Sequence, residues 1–172
     1  MRFFRWVLVV LAFASLGCNA RVDAFHGAQA LTAERRAPVE DGVRRFAGLV
    51  AHDVSQDGPI AWGKYFSDRP EFFMVVNGKI AFPSGQAAVL ALPEVARAFK
   101  HIDLRWGNDL RVDVLTPELA VMGASYDEVL DYADGHREAV SGYFTGVVEL
   151  RNGQWQFRDA HWSSPAAAGK AP

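Results

Sequence analysis

The chain has 172 residues, half of them apolar, and a formal net charge of −2. That length and apolar content suit one packed domain, and the interspersed acids and bases leave no basic stripe for nucleic acid. A single cysteine excludes an internal disulfide and a cysteine-based zinc site.

Met1-Arg2-Phe3-Phe4-Arg5 is a short basic start, and Trp6 to Leu16 is uncharged and almost wholly apolar. This is the length of a signal-peptide apolar region and too short to span a bilayer core comfortably as a helix. The Ser15-Leu16-Gly17-Cys18 string that follows resembles a bacterial lipobox, with serine where leucine is commonest. The resemblance implies a lipid on Cys18, a new N-terminus there, and a place at the cell envelope or periplasm. Ordinary signal cleavage after Ala20 or Ala24, giving a secreted protein, and an uncleaved anchor remain open. Loss of the first 18 residues leaves 16 basic against 20 acidic residues.

Residues 19–36 have no apolar period and read as a tether, so the domain is expected over 37–164. Pro38 suits the first turn of a helix, with Glu40 and Asp41 placed to favour its dipole. Val39, Val43, Phe46, Ala47, Val50, Ala51 and Val54 form one apolar face. Asp57-Gly58-Pro59 ends that helix. A second short helix is expected over Ile60–Phe66. Strands over Phe72–Val76 and Lys79–Phe82 flank an Asn77-Gly78 hairpin turn. Gln86–Lys100 reads as a third helix, made irregular by Pro93.

From Ile102 to Val114 the even positions are apolar and the odd ones polar, with a bend at Gly107-Asn108. Leu119–Tyr126 is a strand, Asp127–Glu138 an acidic, exposed hairpin tip, Val140–Leu150 a long strand and Gln154–Ser163 the closing one. The tail, residues 165–172, is rich in Ala, Pro and Gly and reads as disordered. Helices first and hairpin-linked strands last give an α+β fold.

This order, with Gly142-Tyr143-Phe144-Thr145-Gly146-Val147-Val148, Arg151-Asn152-Gly153-Gln154-Trp155-Gln156-Phe157 and His161-Trp162-Ser163, resembles the nuclear transport factor two-like superfamily, including its SnoaL-like proteins. Trp62 and Phe66 before Phe72-Phe73, with Asn77-Gly78 after, fit the same pattern, and the likeness spans roughly residues 38–163. It implies a cone-shaped curved antiparallel sheet packed on about three helices, an open pocket at one end, and a homodimer formed through the sheet. The fold hosts ketosteroid isomerase, scytalone dehydratase and polyketide cyclases, so it does not fix a function.

Period two puts Asp159 and His161 on one face with Trp155 and Phe157. If that face is concave, the pair is a candidate acid and base; solvated residues at the sheet's end are the bland reading. Tyr65, near Trp62 and Asp68, is a candidate hydroxyl donor or else aromatic core. Trp62, Tyr65, Phe73, Trp106, Asp159 and His161 form the expected pocket lining. The alternating charges of His101, Asp103, Arg105, Asp109, Arg111 and Asp113 suit a solvated ladder better than a metal site. His136, with Asp127, Glu128, Asp131 and Asp134, lacks the calcium-loop spacing. His52 and Asp53 are expected to face water. No metal or cofactor is expected. The sequence leaves three readings open: a binder of a small, mainly apolar molecule; an isomerase, dehydratase or cyclase using Asp159 and His161; and a dimeric interaction module with a closed pocket.

Overall fold

The computed structural model describes residues 31–165. Helix α1 spans Ala33–Asp57 and buries Val39, Val43, Phe46, Ala47, Val50 and Val54 along one face. It starts ahead of Pro38, which lies inside it, so residues 33–36 belong to the helix and not to a tether. Ala33 to Ala37 are strong helix formers, and one missing N–H in the opening turns does not stop them. Gly58 ends the helix at a φ of 71°, its N–H returning to the Val54 carbonyl. The expected second helix is a 3-10 helix, Gly58–Lys64, with Pro59 and Ala61 buried.

Strands β1 (Phe73–Val76) and β2 (Lys79–Phe82) form the predicted hairpin. Asn77 and Gly78 both take positive φ, 49° and 78°, as the tight turn requires. Helix α2, Gly85–Ala98, is capped by the Ser84 hydroxyl, which accepts the Ala87 N–H at 3.2 Å, and it continues through Pro93.

The alternating run divides into β3 (Phe99–Trp106) and β4 (Arg111–Thr116) at the expected bend. There the Asp109 carboxylate accepts both the N–H and the hydroxyl of Ser125, at 2.9 and 2.7 Å. Strand β5 is longer than predicted, Leu119–Tyr132, and β6 starts earlier, Arg137–Arg151. Most of the supposed acidic tip is therefore paired strand. Two of its acids, Asp127 and Asp131, lie on the outer side of a regular alternation: Asp127 accepts the Ser141 hydroxyl at 2.6 Å, and Asp131 takes both arms of Arg137 at 2.5 and 2.7 Å. Strand β7 is Gln154–Ser163.

The sheet is curved, unclosed and mixed, in the order β2-β1-β7-β6-β5-β3, with β4 on the same edge of β5. All pairings are antiparallel except β1 with β7, which is parallel and corrects the expectation of a purely antiparallel sheet. The core lies where α1 crosses the inner face: Val43, Val50 and Val54 share one cluster with Met122, Phe144, Val148 and Phe157. Among the described residues no helix is long and apolar enough to cross a membrane. The export segment, Cys18 and the tail beyond residue 165 lie outside the described residues.

Candidate functional site

Strand parity selects the residues that face inward. On β5 the even positions Met122, Ala124 and Tyr126 are buried in the core, and Glu128, Leu130 and Tyr132 continue that face. On β6 the inner face carries Val140 and Phe144, and on β3 it carries Ile102. Beyond the region covered by α1, this face bounds a cavity of about 460 Å³. Its other walls are Pro59, Trp62 and Phe66, then Met74, Val76, Asn77 and Phe82 of the hairpin, and Leu92 and Val95 of α2. Trp162 and Ser164 close it from the end of the last strand. The volume lies within the rough 300–1,000 Å³ range of small-molecule sites, and the lining is mostly apolar and aromatic, as such sites are.

Of the expected lining residues, Trp62 lies on this cavity, and Tyr65, Phe73, Trp106, Asp159 and His161 do not. On β7, Val147 faces Asp159 while the adjacent Val148 faces Phe157, so Arg158 is an extra, bulged residue. A bulge reverses which parity faces inward. Phe157 is buried before it, and Ala160 and Trp162 are buried after it. Asp159 and His161 are thereby turned to the outer face, and the structure does not bring them into the cavity as an acid–base pair. Asp159 closes the bulge by accepting the Val147 N–H at 3.2 Å. Loss of water raises its pKa, against smaller lowering effects of that bond and of Arg158. His161 is exposed.

Tyr65 donates to Asp53 at 2.7 Å, away from the cavity. Burial first, and Asp53 second, push its hydroxyl up to about 12. Asp53 does not face open water as expected: it also accepts Lys64 at 3.1 Å, and Lys64 reaches Asp57 at 3.0 Å. This network lies in a wider groove of about 760 Å³ beside α1, whose floor includes Trp155 over Gly42. Within it Asp53 accepts from both Tyr65 and Lys64. Phe73 is 44% exposed, because β1 turns Met74 and Val76 inward instead. Trp106 is core: it donates to the Ala47 carbonyl at 2.8 Å and stacks on Trp162 with ring centroids 5.6 Å apart. Asp68 is exposed and paired with Arg151 at 2.8 Å.

The residue that sequence reasoning missed is Glu128. It sits on the cavity wall with no hydrogen-bond or ion-pair partner among the described residues, and loss of water pushes its carboxyl up to about 7. Tyr126, two residues before it, is also raised, by burial first and by the Glu128 charge second. The signal was the even-numbered alternation Tyr126, Glu128, Leu130, Tyr132, hidden by the neighbouring acids. Among the described residues no cluster of three or more His, Cys, Asp or Glu residues is arranged to hold a metal.

No protein-family model matches the sequence, and no curated protein matches it significantly. Solved structures do match the fold. A candidate scytalone dehydratase from Novosphingobium aromaticivorans DSM 12444 aligns with a TM-score of 0.69 at 12% identity, over 78% of this chain and 89% of that one. A nuclear transport factor two-like superfamily protein from Salmonella enterica serovar Typhimurium LT2 aligns at 0.62 and 16%, over 81% and 96%. The hexachlorocyclohexane dehydrochlorinase LinA-type3 from Novosphingobium barchaimii LL02 aligns at 0.60 and 12%, over 82% and 99%. At these identities the likeness carries the fold and not an activity.

Proposed function

We propose that this chain, built on the nuclear transport factor two-like fold, binds a small, mainly apolar molecule in the cavity between the hairpin, α2 and the inner face of the sheet. The observation that carries this reading is the 460 Å³ space itself, left open beside a core that is otherwise closely packed. Of the tryptophans that could have filled the cone, Trp106 donates to the Ala47 carbonyl and Trp155 lies against Gly42 in the other groove. An interaction module with a closed pocket is correspondingly disfavoured. The test is a calorimetric titration of the full chain with neutral bicyclic compounds. Val140→Trp, which adds bulk to the lining, is expected to weaken binding at least tenfold. Unchanged affinity in that variant would place the compound elsewhere and end the reading.

An acid–base enzyme is the second reading, favoured by one observation: a carboxyl at about 7 in a mainly apolar cavity can accept a proton at neutral pH. The base would be Glu128 and the hydroxyl donor Tyr126, in place of Asp159 and His161. The dehydratase and dehydrochlorinase among the similar folds make this chemistry worth assaying. Location at the envelope rests on the Ser15-Leu16-Gly17-Cys18 string. Labelled palmitate entering the wild type but not Cys18→Ser is the expected result; equal labelling would remove the tether from the proposal.

A further inference from the structure

The polar groups of the cavity are unevenly provided for. Asn77 accepts the Ser164 N–H at 2.8 Å and donates to the Ser164 hydroxyl at 3.0 Å. Tyr132 donates to Glu138 at 3.0 Å. Of the two carboxyls in the lining, Glu138 thus has a donor and Glu128 has none among the described residues. Among the described residues no lysine, arginine or histidine lines the cavity. A carboxylate taken from water without a partner is costly, and sites that retain one tend to use it on a ligand.

We infer that the cavity takes an apolar molecule carrying a protonated amine, which the Glu128 carboxylate holds. The inference rests on the pocket reading above and names its ligand class. An anion would find two carboxylates and no cationic side chain. A neutral molecule would leave Glu128 without a counter-charge. A cation meets the carboxylate and an aromatic surround as well. Trp62 and Trp162 stand 5.6 Å apart at 88°, and Tyr126 and Trp162 4.7 Å apart at 80°. Ring faces carry negative potential and attract ammonium groups.

The pH dependence follows from the groups that face Glu128. Its own strand presents Tyr126 and Tyr132, and β6 presents Glu138. The 3-10 helix, α2, β3 and the hairpin present only uncharged side chains to the cavity, and β7 adds Trp162 and Ser164. His136 stacks on Tyr132 at 3.8 Å outside the lining and pairs with Asp134. The empty site's carboxyl lies near 7, so below that pH an ammonium ion must displace a proton. Affinity should fall about tenfold per pH unit below 7 and level off above it.

Calorimetry of the full chain with naphthylethylamine, naphthylethanol and naphthylacetic acid tests this, because the three probes share one ring and differ in charge. The amine is expected to bind at least tenfold tighter than the alcohol at pH 8, with the acid weakest, and to lose affinity as pH falls to 6. In Glu128→Gln the amine-to-alcohol ratio should drop to about one and the pH slope should flatten. If the alcohol or acid equals the amine in the wild type, the amine inference fails and the pocket reading stands. If none of the three binds, both fail. If Glu128→Gln keeps the preference or the slope, Glu138 or His136 is responsible and the assignment to Glu128 is overturned.

Discussion

Two glutamates on neighbouring strands are both withdrawn from water and are treated in opposite ways. Glu149, on β6, is 6% exposed and faces the outer side of the sheet, under the segment Ser67–Arg69. It accepts the hydroxyl of the fully buried Ser67 at 2.9 Å, with Arg69 at 3.5 Å and Arg158 at 3.9 Å. The buried Nε of Arg69 makes no hydrogen bond of its own and relies on that charge. Glu128, on β5, faces inward and has none of this. A carboxylate surrounded by donors serves the fold, since removing it strands every donor. A carboxylate left bare weakens the fold whenever it is charged, and removing it relieves the molecule.

The sharpest way to break this comparison is to delete the partnered group. Glu149→Ala should destabilise the protein by about 2–4 kcal/mol in urea unfolding at pH 7, because Ser67 loses its acceptor and the buried Arg69 Nε loses its nearby counter-charge. A loss below about 1 kcal/mol would mean that water replaces the carboxylate and that the site is not a structural knot. The smaller effect has the opposite sign. The folded pKa of Glu128 is raised, so its charge costs stability as pH climbs from about 4.5 to about 7, with the whole cost present above 7 and none below 4.5. Glu128→Gln should therefore be more stable than the wild type by about 1–2 kcal/mol at pH 8, after discounting for water in the cavity. Near pH 4 the two should be nearly equal. Unfolding curves at the two pH values check this, and an equal gain at both would show that packing rather than charge is responsible. Stability lost to a binding group is the trade expected at a functional site.

Much of the scaffold was legible because its signals are local. The Asn77-Gly78 turn, the apolar face of α1 and the bend after Trp106 each depend on a few adjacent residues. The site was less legible because its residues are selected by pairing. No glycine or proline marks Arg158 as bulged; the extra residue exists because Val147 and Val148 pair with positions two apart. That shift moves Trp162 inward and His161 outward. The acids at 127, 128 and 131 look alike in sequence, yet only 128 has the parity that faces the cavity. Tyr65 was recognised as an aromatic hydroxyl, but its partner Asp53 lies on another helix and could not be read from spacing.

The parallel pairing of β1 with β7 has a consequence for synthesis. Among the described residues the first hairpin has no other neighbour in the sheet, so it waits for the last strand of the domain. The segment after the 3-10 helix waits for it too, since the Ser67 N–H bonds the Phe157 carbonyl at 2.8 Å. Trp162 and Ser164, which close the cavity, also arrive last. A chain stopped before Gln154 can form its helices and β3 to β6, yet it has no enclosed site and its hairpin is adrift. The proposed site is therefore complete only in a chain that extends through Ser164.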